Sequence, residues 1–166
     1  MGRIKQSQIT YWCHEIIRSQ AEAGGCYIDA TMGKGNDTLF LCELAGENGK
    51  VLAFDIQQEA LDATRELLRT HGKEQQAELI LDGHEHMDRY AMEESTDVIC
   101  FNFGYLPGGD HKLATTYQTS IEAIGKGLGI LKHGGMMSLC IYSGGDTGFE
   151  EKEKQSDARC RLRATT

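Results

Sequence analysis

Four stretches of this chain join residue types that do chemistry to glycines that admit a ligand. The first is Ile28-Asp29-Ala30-Thr31-Met32-Gly33-Lys34-Gly35-Asn36-Asp37-Thr38. Glycine lets a backbone turn tightly and approach a ligand closely. Where such a turn opens a helix, unpaired N–H groups face an anion such as a carboxylate. A plain turn with Asn36 or Asp37 capping the helix is the simpler use of the same residues. Asp55 comes 20 residues after Gly35, at the end of an apolar run. A carboxylate so placed can accept both hydroxyls of a ribose, although a lone Asp after a strand can also cap a helix. Asp82-Gly83-His84 offers an imidazole that could stack on an adenine or hydrogen-bond to it. Asn102-Phe103-Gly104-Tyr105-Leu106-Pro107-Gly108-Gly109-Asp110 is a turn-rich loop and a candidate substrate site. The dinucleotide pattern GxGxxG is incomplete, because Thr38 stands where its third glycine would be.

The elements that must position these residues alternate along the chain. A helix is expected over Ser7 to Ala23, with Ile9, Trp12, Cys13, Ile16 and Ile17 on one face and Gly24-Gly25 as its stop. Strands follow at Cys26–Ala30, Lys50–Asp55, Glu78–Leu81, Asp97–Asn102 and Met136–Tyr142. Helices come between them at Asp37 to Ala45, Gln57 to His71 and Thr116 to Leu131. The second of these is amphipathic through Ala60, Leu61, Thr64, Leu67 and Leu68, and the third carries Ile121, Ile124 and Leu128. Apolar strands alternating with helices imply an α/β domain with a mostly parallel sheet covered on both faces. Ligands bind such sheets beyond the carboxyl ends of the strands, where each polar stretch above falls.

Composition narrows the function further. A length of 166 residues suits one domain with a real core. No apolar run nears the roughly 20 residues of a membrane span, and Met1 to Gln8 lacks a signal-peptide core. A soluble cytoplasmic protein is the expectation. The six cysteines form no CxxC pair, and His84 and His86 have no second ligand pair, so buried thiols and no metal are expected. A net charge of −8 argues against gripping nucleic acid by bulk electrostatics and suits a cationic cofactor.

Asn102, at a strand end, resembles the Asn of the Asn-Pro-Pro-Tyr motif of amino-group methyltransferases. There the Asn side-chain oxygen accepts an N–H of the target amine and aims its lone pair at the methyl carbon. The set as a whole resembles a family of small bacterial class I methyltransferases labelled rRNA methylases. Members methylate 5-aminomethyl-2-thiouridine at the tRNA wobble position. The resemblance is carried by Ala30 to Leu41, Phe54-Asp55-Ile56-Gln57, Gly83-His84-Glu85, Phe101 to Asp110, Thr115-Thr116 and Thr119, within residues 1 to 150. It implies a Rossmann-like fold and S-adenosyl-L-methionine held at Lys34, Asn36, Asp55, Gln57, Gly83 and His84, with Asp29, Gly33, Gly35 and Asp37 of the glycine turn beside them. Lys34 would serve through its backbone, since a cationic side chain gains nothing near a sulfonium. The resemblance places the substrate amine near Asn102 and Tyr105. It implies a structured RNA, tRNA above all, as partner; a homodimer is one arrangement open to the chain.

The expected methyltransferase domain is 1–154. From 155 to 166 the chain departs from the family, reads as polar and unpatterned, and is expected to be poorly ordered. The last helix and two final strands usual in the family are then missing, leaving about five strands, as a frameshift would. Two other readings stay open on the residues alone. Asp55 would also serve a nicotinamide-dependent oxidoreductase, and the atypical end would suit a non-catalytic fragment that binds cofactor.

Overall fold

The computed structural model describes residues 6–103, 117–141 and 159–164. The element order is α1 (Gln6–Gln20), β1 (Cys26–Asp29), α2 (Asn36–Ala45), β2 (Lys50–Asp55), α3 (Gln58–Thr70), β3 (Ala77–Leu81), β4 (Thr96–Phe103), α4 (Tyr117–Ile130), β5 (Leu131–Ile141) and β6 (Arg159–Ala164). Short 3-10 turns cover Glu74–Gln76 and His84–Arg89. The sheet runs β3-β2-β1-β4-β5-β6. All neighbours are parallel except β5 and β6, which pair antiparallel.

Period-two alternation sends each strand's side chains to opposite faces. Ile28, Leu52, Phe54, Ile99 and Phe101 meet Met87, Ala123 and Ile130 on one face, under α4 and the His84–Arg89 turn. Tyr27, Val51, Val98 and Cys100 meet Ile17, Phe40, Leu41 and Leu68 on the other, under α1, α2 and α3. Both faces are therefore covered, as a largely parallel sheet requires.

Three expectations change. Trp12 is 63% exposed and does not share the inward face of α1, which buries Cys13 and Ile17. On α4, Ile121 and Leu128 are exposed, and the buried stripe is Ala123, Gly127 and Ile130. A Cβ at Gly127 would lie 2.7 Å from Met137 Cε, so small residues let this helix sit close on the sheet. Third, within the tail expected to be poorly ordered, residues 159–164 form β6, giving a six-stranded sheet. The physical reason is a short alternation: Arg159, Arg161 and Arg163 interleave with Cys160, Leu162 and Ala164. That is a strand pattern, and β5 otherwise presents an open edge to pair with.

The strand order places the site. From β1 the chain winds outward through β2 and β3, then returns to start β4 on the other side of β1. The crevice at such a reversal lies beyond the carboxyl ends of β1 and β4.

Candidate functional site

β1 ends at Asp29, which is fully buried. Thr38 Oγ1 donates to its Oδ2 at 2.6 Å and the Thr31 N–H to its Oδ1 at 3.1 Å. Burial, then the nearby charge of Asp37, pushes its carboxyl up to about 7, against the lowering effect of those two hydrogen bonds.

The glycine turn follows. Gly33 and Gly35 take φ of +52° and +82°, which glycine adopts without strain. Gly35 is the N-cap of α2, and no side chain caps that helix, so neither Asn36 nor Asp37 does. A Cβ at Gly35 would sit 2.7 Å from Thr64 Oγ1, so the turn also packs against α3. The Met32 N–H donates to the Phe54 carbonyl at 2.9 Å, and the Gly33 N–H to Asp55 Oδ2 at 2.9 Å. Asp55 Oδ1 accepts the Gln57 N–H at 3.0 Å. Asp55 thus ties the glycine turn to the end of β2 and to Gln57, the residue that precedes α3. Lys34 and Asn36 are exposed, and Gln57 is half-buried.

Gly83 and His84 are buried after β3. Burial holds the His84 imidazole below its ordinary pKa, while Glu85, a hydrogen bond to the Ala30 backbone and Asp55 pull upward. The ring stands edge-on to Phe101 and Phe103, at 5.8 and 6.0 Å. Its Nε2 is buried without a hydrogen-bond partner among the described residues. Asp82 does not reach the crevice in the same way: it accepts from His86 Nδ1 (2.7 Å), Tyr90 Oη (3.0 Å) and the Gly83 N–H (2.8 Å). The His86 hydrogen bond leads in holding its carboxyl below the usual range.

Asn102 lies at the end of β4, where its N–H donates to Thr31 Oγ1 at 2.7 Å. Its Nδ2 donates to Asp37 Oδ2 at 3.3 Å. Its Oδ1 is buried and has no partner among the described residues. Buried polar atoms are rarely left so, and an orphaned acceptor marks a place for a donor. Tyr105 and the loop to Asp110 lie outside the described residues.

His14 of α1 was absent from the sequence reading. Its Nε2 lies 2.7 Å from Asp37 Oδ1. Its ring stacks on Phe40 at 3.8 Å between centroids, 5° from parallel. A histidine on the face that carries Cys13 and Ile17 was the available signal. His14, Asp37 and Asn102 line one crevice with Cys13, Cys100 and Cys140. The structure thus brings the ends of β1 and β4 and the first turn of α2 together. It sets Asp55 and Gly83 on the β2–β3 side of the same carboxyl-end edge, while the His84 ring reaches Phe101 and Phe103 of β4.

The arrangement fits comparisons with known proteins. A family model described as "Putative rRNA methylase" matches residues 51–165. A chloroplastic tRNA (mnm(5)s(2)U34)-methyltransferase of Arabidopsis thaliana is 34% identical over 161 residues, 92% of this chain. The chain spans 58% of that relative's length. Among solved structures, a "putative rRNA-methylase" from Clostridium thermocellum is 44% identical, with a TM-score of 0.79 over 87% of this chain and 77% of that one. A "putative methyltransferase" of Streptococcus mutans, in complex with SAH, is 36% identical, with a TM-score of 0.72 over 86% of this chain and 74% of that one.

Proposed function

Because the chain belongs to the family described as "Putative rRNA methylase", we propose that it is an S-adenosylmethionine-dependent methyltransferase acting on RNA. Within that class, its substrate is the aminomethyl group of 5-aminomethyl-2-thiouridine at the tRNA wobble position. The observation that carries this reading is the buried Asn102 Oδ1, which has no donor among the described residues, at the end of β4. The name of the chloroplastic relative supports the same substrate.

The residues fit the cofactor. Carboxylates at Asp29 and Asp55, a glycine turn with φ of +52° and +82°, and an orphaned His84 Nε2 border one edge of the sheet. Asp29, Gly33, Lys34, Gly35, Asn36, Asp55, Gln57, Gly83 and His84 would hold it. Burial favours a neutral His84, which suits a cationic ligand better than an imidazolium. S-adenosylmethionine supplies an electrophilic methyl group on a sulfonium. The protein's own part is placement. Asn102 Oδ1 would accept one N–H of the amine, bound in its neutral form, and turn its lone pair in line with the methyl; the N–C bond would form as the S–C bond breaks, and the extra proton would leave with the methylated ammonium product. Tyr105, in the loop beyond β4, would border the same amine.

The test is nucleoside mass spectrometry. The purified chain is incubated with S-adenosylmethionine and tRNA from a strain that lacks this activity. Conversion of the aminomethyl nucleoside to its N-methyl form is expected. Methylation elsewhere on the RNA would keep the class and overturn the substrate. Thermal stabilisation by NAD and not by S-adenosylmethionine would overturn the class, because a ligand of the folded state raises its melting temperature.

A further inference from the structure

The side-chain amide of Asn102 is nearly symmetrical in shape, yet only one of its orientations offers an acceptor to an amine. A carboxylate can only accept. With Asp37 Oδ2 at 3.3 Å, the amide NH2 is the end that must face it. The opposite orientation would set two oxygens against each other and present an N–H donor to the substrate. Asp37 in turn has its other oxygen 2.7 Å from His14 Nε2. That nitrogen carries a hydrogen in the imidazolium and in one neutral tautomer. The His14 ring cannot swing freely, because it stacks within 5° of parallel on Phe40, one turn along α2 from Asp37. The chain of contacts therefore runs from α1 through α2 to the end of β4.

We infer that His14 and Asp37 are positioning residues that lock the Asn102 amide with its oxygen toward the substrate, so that the site selects N–H donors. This rests on the amine-methylation reading. It assigns Asp37, whose oxygens face His14 and Asn102, to the substrate side of the crevice. It also gives α1, which lies outside the alternating strand–helix unit, a part in substrate choice.

Two variants of the full chain test it. His14→Phe keeps a flat ring on Phe40 and removes the donor to Asp37. His14→Gln keeps a donor. Steady-state kinetics with saturating S-adenosylmethionine should show kcat for the tRNA amine falling about tenfold in His14→Phe, as expected when a positioning hydrogen bond is lost. Cofactor affinity by calorimetry should stay within about twofold, and His14→Gln should recover most of the rate. The side-chain amide signals of Asn102 in a 15N–1H spectrum should move in His14→Phe and return toward the parent in His14→Gln. Parental kcat in His14→Phe overturns the inference. So does an equal loss in both variants with a lowered melting temperature, which would make His14 a packing residue. If the parent methylates no amine, the proposed function falls, and the spectrum alone decides: moved Asn102 signals sustain the locking, unmoved ones overturn it.

Discussion

Asp29→Asn should make the protein more heat-resistant above neutral pH and leave it unchanged in acid. The carboxyl is fully buried, and its pKa rises from 3.8 to about 7, first through burial and then through the charge of Asp37. In the unfolded chain it loses its proton near the ordinary value. Between those limits the folded state holds a proton that the unfolded state does not, so stability falls as pH rises. The fall is about 1.4 kcal/mol per pH unit, which over this window amounts to about 4 kcal/mol. The contribution is fully present below 3.8 and gone above about 7. Asparagine removes the charge and keeps both contacts. Its oxygen accepts the Thr31 N–H, and its NH2 can donate to the Thr38 hydroxyl that now donates to Asp29.

The assay is the melting temperature of parent and variant from about pH 4 to about pH 8. All other titrating groups are shared, so the difference curve reports the Asp29 charge together with its interaction with Asp37. For a chain of this size about 4 kcal/mol corresponds to roughly 10 °C. The two curves should meet near pH 4, diverge through pH 6 and run parallel above about pH 7. A difference that stays flat across the whole range would refute the reasoning, since it would mean that Asp29 titrates alike in the folded and unfolded chains.

Asp55→Ala should weaken S-adenosylmethionine binding by more than about tenfold in calorimetry, because charge-assisted hydrogen bonds are worth on the order of 1.5–3 kcal/mol each; affinity within threefold of the parent would leave Asp55 a structural tie between Gly33 and Gln57. Gly35→Ala forces a side chain to φ +82° and to 2.7 Å from Thr64 Oγ1. It should cost at least about 2 kcal/mol and lower the melting temperature by roughly 4–8 °C. Amide exchange should be slow at alternate residues of Arg159–Ala164, whose N–H groups pair with β5, and fast exchange at all of them would remove that strand. Asn102→Ala should cost roughly 2–4 kcal/mol in the transition state, about 30- to 1000-fold in single-turnover rate, with cofactor affinity unchanged. An equal loss of cofactor binding would move Asn102 to the cofactor side.

The elements were legible where apolar periodicity and punctuation agree. β2 lies at Lys50–Asp55, as expected, because Gly49 and a helical pattern bound a continuous apolar run. α3 shows its buried Ala60, Leu61, Thr64 and Leu68 at plain helical spacing. Periodicity misleads where packing needs small residues. On α4 the inward stripe holds Gly127 and Ala123, which contribute little hydrophobicity but allow close approach, so Ile121 and Leu128 drew attention to the wrong face. Trp12 misled in the same way on α1. The tail concealed β6 because its Arg residues dominate the composition and mask a six-residue alternation.

Within the site, the division is topological. β1 is the strand that pairs with both β2 and β4, so the residues following β1 and those ending β4 must meet once the sheet order is set. The Ala30 N–H reaches the Cys100 carbonyl at 2.8 Å and the Asn102 N–H reaches Thr31 Oγ1 at 2.7 Å for that reason. A strand–helix alternation read from sequence therefore suffices to bring Asn102 to the glycine turn. It does not suffice to orient the Asn102 amide. That depends on Asp37, which points back from the first turn of α2, and on His14, which arrives from α1 by way of a ring stack on Phe40. No spacing rule links positions 14, 37 and 102, because α1 precedes the alternating unit. The chemistry of the crevice is thus written in two parts. The sheet order fixes where Asn102 stands, and the packing of one flanking helix fixes which way its amide faces.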